Sequence, residues 1–326
     1  MPVSSRSPEV DFSVIMPVHQ GERYLENALQ SILDQSEIFR KSLEVIVVDD
    51  GSTDKSLHII EKWKTKLPLV VLSREEGSNW MSATNEGLKF ARGTWISFLH
   101  QDDRWDPHRL CRLKIAIDEN PHVHFFCHPV SIISPSGKCY GKWTPPLPVE
   151  RALESASILE KLVTQNTMGI PAPCFHKTLL QREKELREDL WFLADWDFWL
   201  RLISQSKNVY CLQKPLASFR IHPDSQTMTR SNQEEDLRSQ FHEIRKWVTR
   251  QFSGTHPRKQ ASLLNTELTI TLANWSHSLP GYPWRLILGF LKLGPVGATR
   301  FIKETCLGQR IWPRLKLRKD GFTHTD

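Results

Sequence analysis

Between Phe12 and Leu99 the apolar residues alternate between two rhythms. Short apolar runs recur at Phe12-Ser13-Val14-Ile15-Met16-Pro17, Val45 to Val48, Leu69 to Leu72 and Thr94 to Leu99, the pattern of strands buried on both faces. Between them the apolar positions fall at helical spacing. Leu25, Ala28, Leu29, Ile32 and Leu33 form one face; Leu57, Ile60 and Trp63 form a second, with Ser52 or Thr53 placed to cap that helix. Asn85 to Ala91 reads as a third helix, stopped by Gly93. This β-α-β-α-β-α-β order predicts right-handed crossovers and a parallel sheet, an α/β half of the nucleotide-binding type.

Past Asp103 the pattern loosens. Val123 to Ile133 reads as strand, Ser134-Pro135-Ser136-Gly137 as a hairpin turn, Trp143 to Pro148 as a proline-rich loop, Ala152 to Val163 as a helix and Pro171 to Phe175 as extended chain. Ala194-Asp195-Trp196-Asp197-Phe198-Trp199-Leu200-Arg201-Leu202 opens a helix with Asp195 in or near its first turn, where the dipole and the free amides favour a carboxylate. Beyond Met228 the texture is helical. Ser231 and Glu234 form a capping box, and Leu237, Phe241, Ile244, Val248 and Phe252 recur as one stripe. A domain boundary near Arg230 divides residues 1–230, the α/β body, from a helical C-terminal extension, 231–326.

A chain of 326 residues suffices for one large domain and an appendage. Its six cysteines show no CxxC pairing and Met1 to Val10 holds no apolar leader, so the expected compartment is the cytoplasm. His122, His124 and His128 lie on an alternating segment and read as outward-facing imidazoles rather than zinc ligands. The net charge of +6 sits in the tail: from Gly281 onward there are nine Lys or Arg and three Asp or Glu. That placement favours an acidic surface as partner of the tail and gives no support to nucleic acid as a partner of the body.

Two of the buried runs end in paired carboxylates, Asp49-Asp50 and Asp102-Asp103. Ligands of open α/β sheets bind at the carboxyl ends of the strands. Acids gathered there can hold a divalent cation, hydrogen-bond a nucleoside, or simply form turns.

The stretches SVIMPVHQGERYLENALQSILDQS, EVIVVDDGSTDKS and SATNEGLKFARGTWISFLHQDDRWDP, followed by ADWDFWLRL and FRIHPDSQT, resemble the family 2 glycosyltransferases across about residues 10 to 230. The resemblance implies a GT-A fold, a Rossmann-like, mainly parallel sheet flanked by helices. It also implies an inverting transfer of sugar from a nucleotide-sugar donor to a carbohydrate or lipid-linked acceptor in surface glycan synthesis. Mn²⁺ or Mg²⁺ would be the cofactor, neutralising the diphosphate leaving group. By the same resemblance Asp103 is the metal ligand, while Asp102, with Gln101 beside it, faces the ribose or donor sugar. Arg220 supplies a charged fork to phosphate oxygens and His222 a donor or further ligand, although a plain surface loop is a competing reading for His222. The chain departs from the common pattern at His100, where many relatives carry an acid, and at Thr84, where many carry arginine.

The residues themselves support these roles. A carboxylate accepts the N3 hydrogen of uracil, which suits Asp49 and Asp50, and the Gly51 turn allows close backbone approach. Pro17, Val18 and His19 would line the base pocket, with Asn85 ordering it from the third helix. Attack on the donor needs a base for the acceptor hydroxyl. Asp195, at an ordinary carboxylate pKa near 4, is the candidate and Asp197 the fallback; a helix-capping role for Asp195 is the alternative. Trp191, Trp196 and Trp199 read as core. Two other classes remain open at this level. A nucleotidyltransferase would need a glycine- and lysine-rich loop after the first strand, which Pro17-Val18-His19-Gln20-Gly21 is not. A non-catalytic binding protein would not need the acids.

The tail segment Trp284 to Leu293 is too short and too charged to span a bilayer, which takes roughly 20 apolar residues. A second helix with Val296, Phe301 and Ile302 follows Gly294-Pro295, then Arg310, Arg314, Lys316, Arg318 and Lys319 around Trp312. Peripheral contact with the inner face of an anionic membrane and packing on the body are both compatible with that pattern.

Overall fold

The computed structural model describes residues 10–75, 77, 79–226, 229, 233–251, 257–276, 281 and 283–319. Four strands, β1 (Phe12–Val18), β2 (Leu43–Asp50), β3 (Leu69–Arg74) and β4 (Trp95–Phe98), pair in parallel in the order β3-β2-β1-β4. The helices between them are α1 (Leu25–Leu33), a short α2 (Glu37–Arg40), α3 (Ser56–Trp63) and α4 (Trp80–Phe90). β1 runs on through Pro17, which pairs with Val48. The unbroken apolar runs have their reason in two-sided burial. Val14, Met16, Val45 and Val47 face one core with the α1 residues Leu25, Ala28, Leu29 and Ile32, whereas Ile15, Ile46 and Val48 face another with Met81 and Leu88 of α4. Gly87 permits that second contact, because a Cβ there would stand 2.6 Å from Ile15 Cγ2.

The α3 details differ from the sequence expectation. Lys55 precedes the helix and Asp54 Oδ1, not Ser52 or Thr53, accepts the Ser56 amide at 2.9 Å. Leu57 is 40% exposed; Ile59 joins Ile60 and Trp63 on the buried face.

The sheet continues past β4. β10 (Cys174–His176) runs antiparallel to both β4 and β6 (Phe125–Cys127); β11 (Asn208–Cys211) pairs parallel with β6, and β9 (Ala152–Glu154) closes the edge, giving eight strands. The run Val123 to Ile133 is two strands, not one. At His128-Pro129 the chain leaves the large sheet, and β7 (Val130–Ile133) enters a second sheet of order β5-β12-β7-β8, with β5 (Arg104–Trp105), β8 (Cys139–Trp143) and β12 (Ala217–Arg220). The 134–137 turn joins β7 to β8 as expected. The helix expected from Ala152 begins only at Ser155 as α6 (Ser155–Leu162), its first three residues being β9. A 3₁₀ turn (Lys177–Leu180) follows β10, and α7 (Ala194–Gln205) precedes β11.

His128 faces inward, contrary to the outward imidazole expected, because of α5 (Arg109–Glu119), a helix missed in the sequence reading. Arg109 is fully buried. Its Nε donates to His128 Nε2 at 3.1 Å, and its Nη2 to Ser97 Oγ at 3.1 Å and to the carbonyls of Pro171 and Pro173 at 3.3 Å, while its guanidinium lies 4.0 Å from the Trp105 ring centroid. Burial draws the Arg109 pKa down to about 10 and that of His128 to about 3, so the imidazole is neutral and its Nδ1 is free to donate to Pro129 O at 2.8 Å. Arg109→Ala strands these acceptors in the core. It is expected to cost about 3 kcal/mol or more and to lower Tm by several degrees in a calorimetric scan; an unchanged Tm contradicts this account.

Three helices follow α8 (Glu234–Gln251): α9 (Pro257–Ser276), α10 (Pro283–Glu304) and α11 (Leu307–Lys319). Leu237, Phe241, Ile244 and Val248 of α8 belong to the same core as the sheet, and Phe241 meets Trp196 edge-on. A separate cluster starts only with α9, where Ala261, Leu264, Leu268 and Leu272 pack with Phe301 of α10. Ser231 and Phe252, and the side chains of Arg314, Arg318 and Lys319, lie outside the described residues. The two described members of the terminal basic run are engaged inside the protein. Arg310 donates to Asn265 Oδ1 and Thr269 Oγ1, both at 2.7 Å, and Lys316 reaches Tyr140 O at 3.2 Å. Among the described residues no helix is long and apolar enough to cross a membrane.

Candidate functional site

The parallel strands end together, and their ends carry the acids. Asp49 and Asp50 are the last residues of β2, each 2% exposed. Asp49 Oδ2 accepts the Ser52 amide at 3.3 Å, leaving its buried Oδ1 unpartnered. Asp50 Oδ2 accepts the Asn79 amide at 2.9 Å, and its Oδ1 lies 3.3 Å from Arg74 Nη1, which also approaches Glu86 through Nε at 3.4 Å. Gly51, at φ +70, turns the chain against Glu75 O, where a side chain would be strained. Arg74 and Asn79 were not anticipated. Asn79 was legible in principle, since Asn before a helical run is a cap signal, and its Oδ1 accepts the Met81 and Ser82 amides.

Pro17, Val18 and His19 differ in what they present. Pro17 and Val18 are buried, with Val18 in the core, whereas His19 is partly exposed and its Nδ1 bonds Asp50 O at 2.8 Å. Gln101 does not point into open space. Its Oε1 accepts His19 N–H and its Nε2 donates to His19 O, both at 2.8 Å, so it clamps the backbone after β1. Asn85 clamps in the same way, but on another loop: Nδ2 donates to Leu186 O at 2.9 Å and Oδ1 accepts Leu186 N–H at 2.7 Å. Its amide therefore orders the segment leading to α7, not the base pocket. The two departures, His100 and Thr84, converge on one residue. The His100 ring meets the Trp80 ring at 5.0 Å and Thr84 Oγ1 donates to Trp80 O at 2.7 Å. Burial lowers the His100 pKa.

The chain after β12 folds back onto the turn after β4. Arg220 N–H donates to Asp103 Oδ1 at 2.9 Å, and His222 Nε2 stands 2.9 Å from Asp102 Oδ2. Arg220 is 2% exposed. Its guanidinium donates to the carbonyls of Asp102 (2.8 Å), Ser134 (3.0 Å) and Pro135 (2.9 Å) and packs 4.5 Å from the Tyr24 ring centroid, so Nη2 alone is left over. It braces the acidic turn, a role beyond the charged fork for phosphate oxygens that was expected. Tyr24 meets His222 with ring centroids 5.0 Å apart and the planes tilted by 58°.

The two acids of the turn are unlike. Burial, reinforced by the charge on Asp102, lifts the Asp103 carboxyl well above the usual range, and its Oδ2 is buried without a partner. Burial also acts upward on Asp102, but the His222 hydrogen bond and the nearby imidazoles outweigh it and hold Asp102 below that range. Among the described residues no group of three or more His, Cys, Asp or Glu side chains forms a metal cage. What is present is one ionised carboxylate paired with an imidazole and one orphaned carboxyl oxygen. That donor set suits a hard cation that keeps waters and takes its remaining ligands from a diphosphate.

Asp195 lies in the first turn of α7 without capping it, since Leu193 is the N-cap and gives no side-chain bond. Its Oδ1 accepts the Trp196 amide at 2.7 Å and its Oδ2 accepts Asn166 Nδ2 at 2.9 Å. Burial raises its pKa to about 6, where an ordinary carboxylate value was expected. Asp197 is buried too, but Arg201 Nε binds it at 2.8 Å, and Arg201 also reaches Glu183 and the Glu185 carbonyl. Its carboxylate is paired with Arg201, whereas that of Asp195 accepts a backbone amide and the Asn166 carboxamide. Trp191, Trp196 and Trp199 are buried as expected. Asn166 was missed; it lies on a buried polar loop, Thr164 to Thr167, whose composition resembles an exposed turn.

The model of the family described as "Glycosyl transferase family 2" matches residues 13–187, more than half of the chain. An uncharacterised glycosyltransferase of Rickettsia typhi is 28% identical over 250 residues, 73% of each chain. The minor teichoic acid biosynthesis protein GgaB of Bacillus subtilis is 39% identical over 102 residues, 31% of this chain but only 11% of GgaB. Among solved structures, Staphylococcus aureus TarS 1-349 in complex with UDP-GlcNAc aligns with a TM-score of 0.59 at 20% identity, covering 96% of this chain and 92% of that one. The mannosyltransferase PcManGT of Pyrobaculum calidifontis, in complex with GDP-Man and Mn²⁺, aligns at 0.56 with 17% identity over 96% and 88% of the two chains. At these identities the structures establish the shared fold.

Proposed function

This chain belongs to glycosyl transferase family 2, and we propose from its site that it moves a sugar from a UDP-linked donor to an acceptor hydroxyl, with inversion, in the synthesis of a surface polysaccharide or glycolipid. The observation that carries the reading is the return of β12 onto the β4 turn, which seats His222 on Asp102 and the Arg220 amide on Asp103. Asp50, with His19 and the Gly51 turn beside it, is the seat for the nucleoside. Its carboxylate, held by Asn79 and Arg74, would accept a uracil N3–H. A divalent cation, Mn²⁺ or Mg²⁺, held by Asp103 with His222 as a further ligand would neutralise charge on the departing diphosphate. Asp195 takes the proton of the acceptor hydroxyl as its oxygen attacks the anomeric carbon and the bond to the diphosphate breaks. The teichoic-acid relatives and the UDP-GlcNAc-bound neighbour support a UDP sugar and a cell-surface acceptor. The absence of a glycine- and lysine-rich loop after β1, whose backbone is instead clamped by Gln101, disfavours a nucleotidyltransferase.

Thermal unfolding with a panel of nucleoside diphosphates tests the donor class. UDP at one hundred times its dissociation constant should stabilise the protein by about 2.7 kcal/mol, with GDP and CDP giving less and Asp50→Ala erasing the preference. A panel in which no nucleotide raises Tm overturns the reading.

A further inference from the structure

α10 is kinked at Gly294, whose φ of 65° and ψ of 175° interrupt the helix ahead of Pro295. Before the kink its inner side, Leu286, Phe290 and Leu293, packs on the α9 cluster, and Gly289 lies against Leu264. Trp284, Ile287, Leu288 and Leu291 fall at i, i+3, i+4 and i+7 on the other side and are 56, 60, 48 and 71% exposed. A row of four large apolar residues on one outer helix face is more than the scattered exposure every surface shows. Cations prevail along the helix itself, although Arg285 is paired with Glu267 of α9 at 3.3 Å. From Gly281 to Lys303 the chain carries Arg285, Lys292, Arg300 and Lys303 and no Asp or Glu. Past the kink, Arg300, Lys303 and Lys161 of α6 line a groove of about 470 Å³ with Pro146 and Val296, the latter 83% exposed. Glu304, at the groove's edge, is bound by Arg258.

We infer that the outer face of α10 docks on an anionic bilayer surface, its apolar row entering the headgroup boundary and the Lys161-Arg300-Lys303 groove taking an anionic headgroup. The charge pattern selects this occupant. A second copy meeting the same face about a two-fold axis would gather Lys292, Arg300 and Lys303 of both copies, while Glu304, which also lines the groove, is already bound by Arg258. Of the terminal basic run, the more obvious cationic segment in the sequence, Arg310 and Lys316 are bonded within the protein. The inference does not depend on the identity of the donor sugar.

Co-sedimentation of the full chain with vesicles tests it. Phosphatidylglycerol-rich vesicles should pellet the protein at low salt, phosphatidylcholine vesicles should not, and added salt should release it. Arg300→Gln with Lys303→Gln should weaken binding roughly 25-fold, at about 1 kcal/mol per cation, and Ile287→Asp with Leu291→Asp should abolish it, with far-UV spectrum and Tm unchanged because these side chains are exposed. Equal pelleting of parent and variants overturns the proposal. So does failure of the parent to bind anionic vesicles. Conversion of a dimer to a monomer by Leu291→Asp, read by light scattering, would assign the face to a second copy instead.

Discussion

Asp195→Asn is expected to lower turnover by about 10²- to 10⁴-fold while leaving UDP binding within about twofold, the signature of removing a group that acts on the acceptor during the chemical step. The substitution keeps the size of the side chain and an acceptor for the Trp196 amide but turns an amide donor toward Asn166 Nδ2, so Asn166→Ala is the control for structural loss. The raised pKa supplies two further readouts. With its pKa at about 6, Asp195 must be ionised to accept the proton, so kcat/KM should fall about tenfold per unit below about pH 6 and level off above it. The stability sign is opposite. A carboxyl whose folded pKa exceeds its unfolded value favours the fold below the unfolded value of 3.8 and loses that contribution as pH rises through about 6. At pH 7 to 8 the ionised, buried form is therefore a liability, whose removal in Asp195→Asn offsets part of the cost of losing the Asn166 bond. A fully active Asp195→Asn protein, or an acid limb near pH 4, would remove Asp195 from the mechanism. An equal loss confined to Asp197→Asn would move the assignment there.

Chelation is the second large effect. Excess EDTA should stop transfer and Mn²⁺ or Mg²⁺ should restore it, since Asp103 Oδ2 is buried with nothing to bond and Asp102 is held ionised beside it. Asp103→Asn retains an oxygen for the Arg220 amide but lacks the charge, so it should fold and lose about 10²-fold or more in activity. Direct Mn²⁺ binding in the presence of UDP, followed by electron paramagnetic resonance, should be lost in His222→Ala. Transfer at the parental rate in excess chelator would show that the acidic turn works without a cation.

Much of the first hundred residues was legible because two-sided burial keeps β1, β2 and β4 mostly apolar, with Ser13, Glu44 and Ser97 as buried polar exceptions ahead of the terminal acids. The acids at their ends were legible for the same reason, being abrupt. What the sequence concealed was long-range. The chain break at His128-Pro129 depends on Arg109, whose partners lie on three separate segments, and an Arg within a helix of low amphipathicity gives no sign of being interior. Local pattern likewise cannot say that Gln101 and Asn85 bond backbone 82 and 101 residues away. Arg220 was found by its motif, but its bracing of Ser134, Pro135 and Asp102 follows from the second sheet, which no periodicity announced.

Those two carboxamide clamps have a further meaning. An amide offers one donor and one acceptor, matching the N–H and C=O of a single residue, and it has no proton to gain or lose across the physiological range. At these two points the loops after β1 and before α7 are thus fastened by groups indifferent to acidity, so a pH-dependent rate does not owe its inflections to either clamp.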